Sequence, residues 1–162
     1  MRLSQIAATA IEEAVGQIAH DRIGWEEQDA SRATFAAKIE KADSVLDLRK
    51  PAPAIACRIH AVSPKPGGAV SLISAAGDET VLKISRAGSC AYESGDRPTP
   101  GTISQTDPAT PLRIATGAGW LIPLVLQRPG GKALPIADFL RGFEIPDGAR
   151  LQVPNEDEAE NS

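Results

Sequence analysis

LQRPGGKALPIADFLRG, residues 126–142, reads as a strand end, a glycine turn, a basic residue and then a short helix. Ile122, Leu124 and Leu126 recur at the two-residue spacing of a half-buried strand. Pro129, Gly130 and Gly131 break it, because proline has no N–H to give a ladder and glycine accepts turn conformations freely. Pro135 suits the first turn of a helix, and Gly142 suits its C′ position. Ile136, Phe139 and Leu140 would form the apolar face of that helix.

Upstream of this stretch the chain breaks into short strand-like runs between turn residues. The candidates are 69–73, 80–85, 88–92, 101–105, 111–116 and 120–127. Gly77-Asp78 suits a hairpin turn, Gly117-Ala118-Gly119 a tight connection, and Ser94 to Pro100 a polar loop. Ile55, Ile59 and Val62 follow helical spacing behind Pro51 and Pro53, so a helix is expected over 52–62. The run from Ser63 to Gly68 stops it. Short strands with one interposed helix point to a small barrel. Farther upstream, Ser4 can cap a helix over 5–19 whose apolar stripe is Ala7, Ile11, Ala14, Val15 and Ile18. Asp21 to Arg32 reads as a polar connector, and Phe35 to Lys41 as extended chain.

The net charge of −4 conceals a gradient. Residues 1–31 carry net −4, residues 32–65 net +4, residues 66–155 none, and the tail from 156 a further −4. A strong nucleic-acid binder is usually more basic than this, so only one segment has a balance that favours phosphate. No apolar run is long enough to span a bilayer, so no membrane partner is expected. Glu12 and Glu13 interrupt any signal-peptide pattern. Cys57 and Cys90, with no CxxC spacing, are expected to be free, buried thiols in a reducing, cytoplasmic setting. Six aromatics, several at core-like positions, are too few for a base-stacking platform; Trp25, Phe35, Tyr92, Trp120, Phe139 and Phe143 are expected in core and boundary packing. Gly117-Ala118-Gly119 lacks the strand–loop–helix context of a nucleotide fingerprint, and His60 has no ligand-type residue at metal spacing.

Several segments, taken in order, resemble the C-terminal domain of bacterial methionyl-tRNA formyltransferase. FAAKIEKADSVLDL at 35–48 is similar to that family's linker, and Pro51 to Pro66 to its next helix. PGTI at 100–103, LRIATGAGWL at 112–121 and LQRPGGK at 126–132 are similar to its barrel strands. Gly148-Ala149-Arg150-Leu151 resembles its closing "P-G-x-R-L". Two departures stand out: Leu48 and Lys65 occupy positions where the family has tryptophan.

The resemblance implies an α+β chain with an N-terminal helix and linker. A small oligonucleotide-binding-type (OB-type) β-barrel then follows, with an interposed helix and a short C-terminal helix. The expected domains are a helical arm and connector at 1–34, the OB-type domain at 35–153 and a disordered acidic tail at 154–162. It implies a domain that holds initiator tRNA, while the chemistry sits in a preceding Rossmann-like domain that takes 10-formyltetrahydrofolate and uses an Asn, His and Asp set. The only asparagines here are Asn155 and Asn161, both in the tail. The expectation is therefore a stand-alone tRNA-binding module without catalytic, cofactor or metal residues and without formyl transfer of its own. Its partners would be tRNA, held weakly through phosphates, and either a separate catalytic chain, as in a split enzyme, or a second copy through the 5–19 helix. The alternative is a protein-interaction scaffold, or a truncated remnant, that has lost tRNA binding.

Lys38 and Lys41 lie in the segment that the family uses beside tRNA, and lysine suits phosphate as a mobile point charge. Arg49, Lys50 and Arg58 extend the same basic run; a solvated linker face is the competing reading. Lys132 follows two glycines that would let backbone approach a phosphate, and Arg128 stands beside it. The acidic tail is a candidate competitor for the basic segment, or simply a solubilising one.

Overall fold

The computed structural model describes residues 3–152 apart from 94, 96, 107–109 and 147. The expected acidic tail lies outside the described residues. Two compact units divide the chain, Met1–Ala37 and Lys38–Ser162.

The first unit holds α1, Leu3–Ala19, which takes in the predicted helix, and a 3₁₀ turn at Ala30–Arg32 capped by the Asp29 side chain. No residue of α1 is buried: Ile6, Ile11, Val15 and Ile18 all stand exposed. Trp25 and Phe35, expected in packing, are 82% and 100% exposed.

In the second unit α2, Ala52–Ala61, precedes seven strands among the described residues: β1 Gly68–Ile73, β2 Glu79–Cys90, β3 Ile103–Ser104, β4 Arg113–Ala115, β5 Trp120–Gln127, β6 Leu134–Pro135 and β7 Arg150–Leu151. The sheet is antiparallel in the order β3-β4-β5-β2-β1-β7, with β6 on β5. Its two edges meet at a Thr102–Arg150 bridge, and Leu151 N–H donates to the Gly101 carbonyl at 2.9 Å, which curls the sheet into a small barrel. A helix α3, Ile136–Gly142, lies between β6 and β7. One core unites Ile55 and Ile59 of α2 with Val70, Leu72, Leu82, Ile84, Ile114, Leu121, Leu126 and Phe139. Filled in this way, the barrel interior is closely packed; a gap among these side chains measures only about 10 Å³.

Several local expectations need correction. The runs 80–85 and 88–92 belong to one strand, β2. Its register against β5 slips at Ser85 and again at Leu124, so Ile84 faces Leu126 while Ala87 faces Pro123. The slip inverts the alternation: Leu121 and Pro123 point inward, then Leu126, while Leu124 is exposed. A proline in a central strand is tolerated at such a bulge because the ladder is already broken there. The first hairpin turn is Ser74–Gly77, closed by Gly77 N–H to the Ser74 carbonyl, so Gly77 ends the turn instead of opening it. Gly142 ends α3 inside the helix, and the extended Phe143 caps it, so Gly142 is not a left-handed C′ residue. Both cysteines are free but exposed, Cys57 because it faces away from the core on α2. Leu48, the linker substitution, is fully buried within this unit's own core.

Candidate nucleic-acid interface

The linker cations fall into two chemical groups. Arg49 forks onto Asp47 through Nε and Nη2, at 2.9 and 3.2 Å. Arg58, on α2, donates to the Asp43 carbonyl at 2.9 Å and to its carboxylate at 2.6 Å. The Glu40 N–H and then the Arg58 guanidinium hold the Asp43 carboxyl below its usual range. The Arg49 fork does the same for Asp47, against a smaller opposing effect of burial. Both arginines therefore tie the linker together, with their charge largely cancelled by a carboxylate. Lys38, Lys41 and Lys50 are exposed, and no ion pair occupies them among the described residues.

The linker is seated by backbone. Ser44 Oγ donates to the Lys41 carbonyl at 2.6 Å, closing a 3₁₀ turn at Ala42–Ser44. Gly117 N–H donates to the Leu48 carbonyl at 2.9 Å, and Ala52 N–H to the Ala118 carbonyl at 2.9 Å. The 117–119 connection is thus a clasp on the linker.

Arg128 and Lys132 stand exposed on the turn after β5. Gly130 takes φ +68° there, and Gln127 Nε2 donates to the Gly131 carbonyl at 2.7 Å, folding the turn back on its strand. No hydrogen bond or ion pair among the described residues joins this turn to the linker lysines. The sequence reading missed Lys83 and Arg86, which β2 turns to solvent; strict alternation around Leu82 and Ile84 was the available signal for Lys83.

The half-buried aromatics serve the fold. Tyr92 O–H bonds the Thr116 carbonyl, and its ring meets Trp120 edge-on at 5.3 Å. The Arg113 guanidinium lies 5.0 Å from the Trp120 centroid. With these contacts made inside the protein, neither ring is presented as a stacking platform. Among the described residues no group of three or more His, Cys, Asp or Glu side chains could hold a metal ion. No helix among them is long and apolar enough to cross a membrane.

Residues 38–144 match the family model described as "Formyl transferase, C-terminal domain". The chain is 39% identical over 150 residues to a methionyl-tRNA formyltransferase of Delftia acidovorans, covering 93% of this chain and 44% of that protein. It is 36% identical over 153 residues to one from Paraburkholderia phymatum, covering 94% and 44%. A third, from Acidovorax ebreus, is 39% identical over 153 residues, covering 93% and 45%. The chain spans less than half the length of these relatives.

Proposed function

The chain belongs to the formyl transferase C-terminal domain family, and on that premise we propose that residues 38–152 hold tRNA for a formyl transfer whose chemistry another segment supplies. The observation that carries this reading is where the match falls: it covers the linker with Lys38, Lys41 and Lys50, α2, the strands as far as β6, and the glycine turn with Lys132. The arrangement offers mobile cations on a barrel with a filled interior, which suits the grip of a phosphate backbone. With Tyr92 and Trp120 engaged inside the barrel unit, recognition by that unit rests on shape and phosphates.

The transferase partner would be the part of the formyltransferase that this chain does not match, on the same polypeptide or a separate one. The exposed stripe of α1 is its docking element, since leaving Ile11, Val15 and Ile18 in water forgoes about 1.5–3 kcal/mol each. The same stripe favours the second reading, an interaction scaffold that has lost RNA. The test is direct. Purified chain should bind tRNA at low salt with an affinity that falls steeply as salt rises, and should transfer no formyl group from 10-formyltetrahydrofolate to methionyl-tRNA. Absence of tRNA binding at low salt favours the scaffold, and transfer by the chain alone defeats the division of labour.

A further inference from the structure

The outward side of β1, β2 and β5, with the loops beside it, carries five cations, and its acids, Asp78 and Glu79, are confined to the hairpin end of β2. Residues 63–72, 80–90 and 121–137 carry Lys65, Lys83, Arg86, Arg128 and Lys132 and contain no Asp or Glu. The fold assembles them. Lys83 sits in register between Ala69 of β1 and Gln127 of β5. Its aliphatic stem lies along the loop that carries Lys65, with Cβ and Cδ each 3.8 Å from where a side chain on Gly67 would begin. On the other flank Gln127 holds the glycine turn by its bond to the Gly131 carbonyl. Arg128 lies over that turn, its Cγ 2.8 Å from where a Cβ on Gly131 would stand. Farther along β2, the slip in register keeps Arg86 outward, opposite Val125.

All five cations are exposed, and no ion pair cancels any of them among the described residues. Neighbouring strands stand about 4.8 Å apart, well inside a screening length of about 8–10 Å, so charges across them act as one field. The linker arginines differ, each answered by its own aspartate. In a chain of net charge −4 this face is a place where positive potential survives. The one ring on these strands, Trp120 at the start of β5, is half-buried and engaged by Tyr92 and Arg113. With that ring occupied inside the protein, the face offers neither a base-stacking platform nor the exposed aromatic anchors that a membrane surface would favour.

We propose that this face, with Lys83 and Arg86 at its centre, is the principal phosphate-binding surface for folded RNA, ahead of the linker. The assignment rests on the RNA-holding reading above and says where the backbone lies. The experiment titrates fluorescent tRNA with full-length chain between 50 and 200 mM salt, about the range over which phosphate contacts are resolved. It compares wild type, the double variant Lys83→Glu/Arg86→Glu and the double variant Lys38→Glu/Lys41→Glu. Loss of two phosphate contacts should flatten the slope of log K against log salt by about 1.4–1.8, with at least about a tenfold loss of affinity at the low-salt end. The linker variant should lose less. Neutral Lys83→Gln/Arg86→Gln, with an unchanged melting curve, should show an intermediate loss. A wild-type slope in the β2 variants, or a larger loss in the linker variant, overturns the assignment and leaves tRNA binding standing. No wild-type binding at any salt removes the RNA-holding reading and this one with it. Equal, charge-dependent binding to vesicles of anionic lipid would make the face a membrane surface instead and overturn the proposal.

Discussion

Replacing Gly117 by alanine should unseat the linker. A Cβ at this position would stand 1.7 Å from the Arg49 carbonyl oxygen and 2.6 Å from its carbonyl carbon. Both are backbone atoms, so no side-chain rotation relieves the clash, and either the 117–119 connection or the linker must move. Movement breaks the bond from Gly117 N–H to the Leu48 carbonyl and strains the one from Ala52 N–H to the Ala118 carbonyl. Two such bonds contribute about 1 kcal/mol each, and overpacking a tight site costs about 1–3 kcal/mol. The expected loss is about 3–5 kcal/mol, or roughly 10–20 °C in Tm for a domain of this size. Gly88 supplies the control within the same barrel, because nothing lies within 4 Å of a Cβ built there. Alanine at Gly88 removes backbone freedom from the unfolded chain and should stabilise by about 0.5–1 kcal/mol. Urea unfolding followed by circular dichroism measures both variants. If Gly117→Ala falls within about 1 kcal/mol of wild type, the clasp does not hold the linker and the reasoning fails.

Two further outcomes follow from the same geometry. Asp43 and Asp47 have depressed carboxyl pKa values in the fold, so their contribution is present above the unfolded value of 3.8 and is lost as pH falls through the lower folded values; the stability gap between wild type and Asp43→Asn should therefore be full at neutral pH and close in acid, and a gap that ignores pH would contradict the Glu40 and Arg58 contacts. Ile11→Asp combined with Val15→Asp should leave the urea midpoint of the barrel unchanged, since no residue of α1 is buried, yet abolish co-purification with the catalytic part of a family formyltransferase; a destabilised barrel would mean that the stripe has a partner within the chain.

Most of the fold was legible because local chemistry agreed with the final packing. The 52–62 helix spacing and the Ser63–Gly68 stop gave α2 almost to the residue. The strand bounds of β5 were right, but of the alternating Ile122, Leu124 and Leu126 only Leu126 points inward, because the alternation made no allowance for the slip opposite Ser85. A bulge depends on two strands meeting, and neither strand alone announces it. Pro123 was the one local hint, since a proline inside a central strand calls for broken pairing. β6 and β7, two residues each, carry too few residues for any period to appear; only the "G-x-R-L" resemblance marked the second.

The interface was harder to read, for an electrostatic reason. A charge count along the sequence treats every arginine alike, and it singled out residues 32–65 for their net +4. The fold divides that sum. Arg49 closes a local fork with a residue two positions away, and Arg58 reaches back fifteen positions to Asp43, so two of the seven cations are absorbed in holding the linker. β2, by contrast, offers only Lys83 and Arg86, with Glu79 at its start, among its twelve residues, too sparse to register as basic. The sheet then stacks that sparse strand between two acid-free neighbours, and the field adds sideways across strands where the sequence can add only lengthwise. Whether a cation is available to a phosphate is thus decided by which carboxylate the fold puts beside it, and on this chain that criterion moves weight from the linker's arginines to its lysines and to the face of β2.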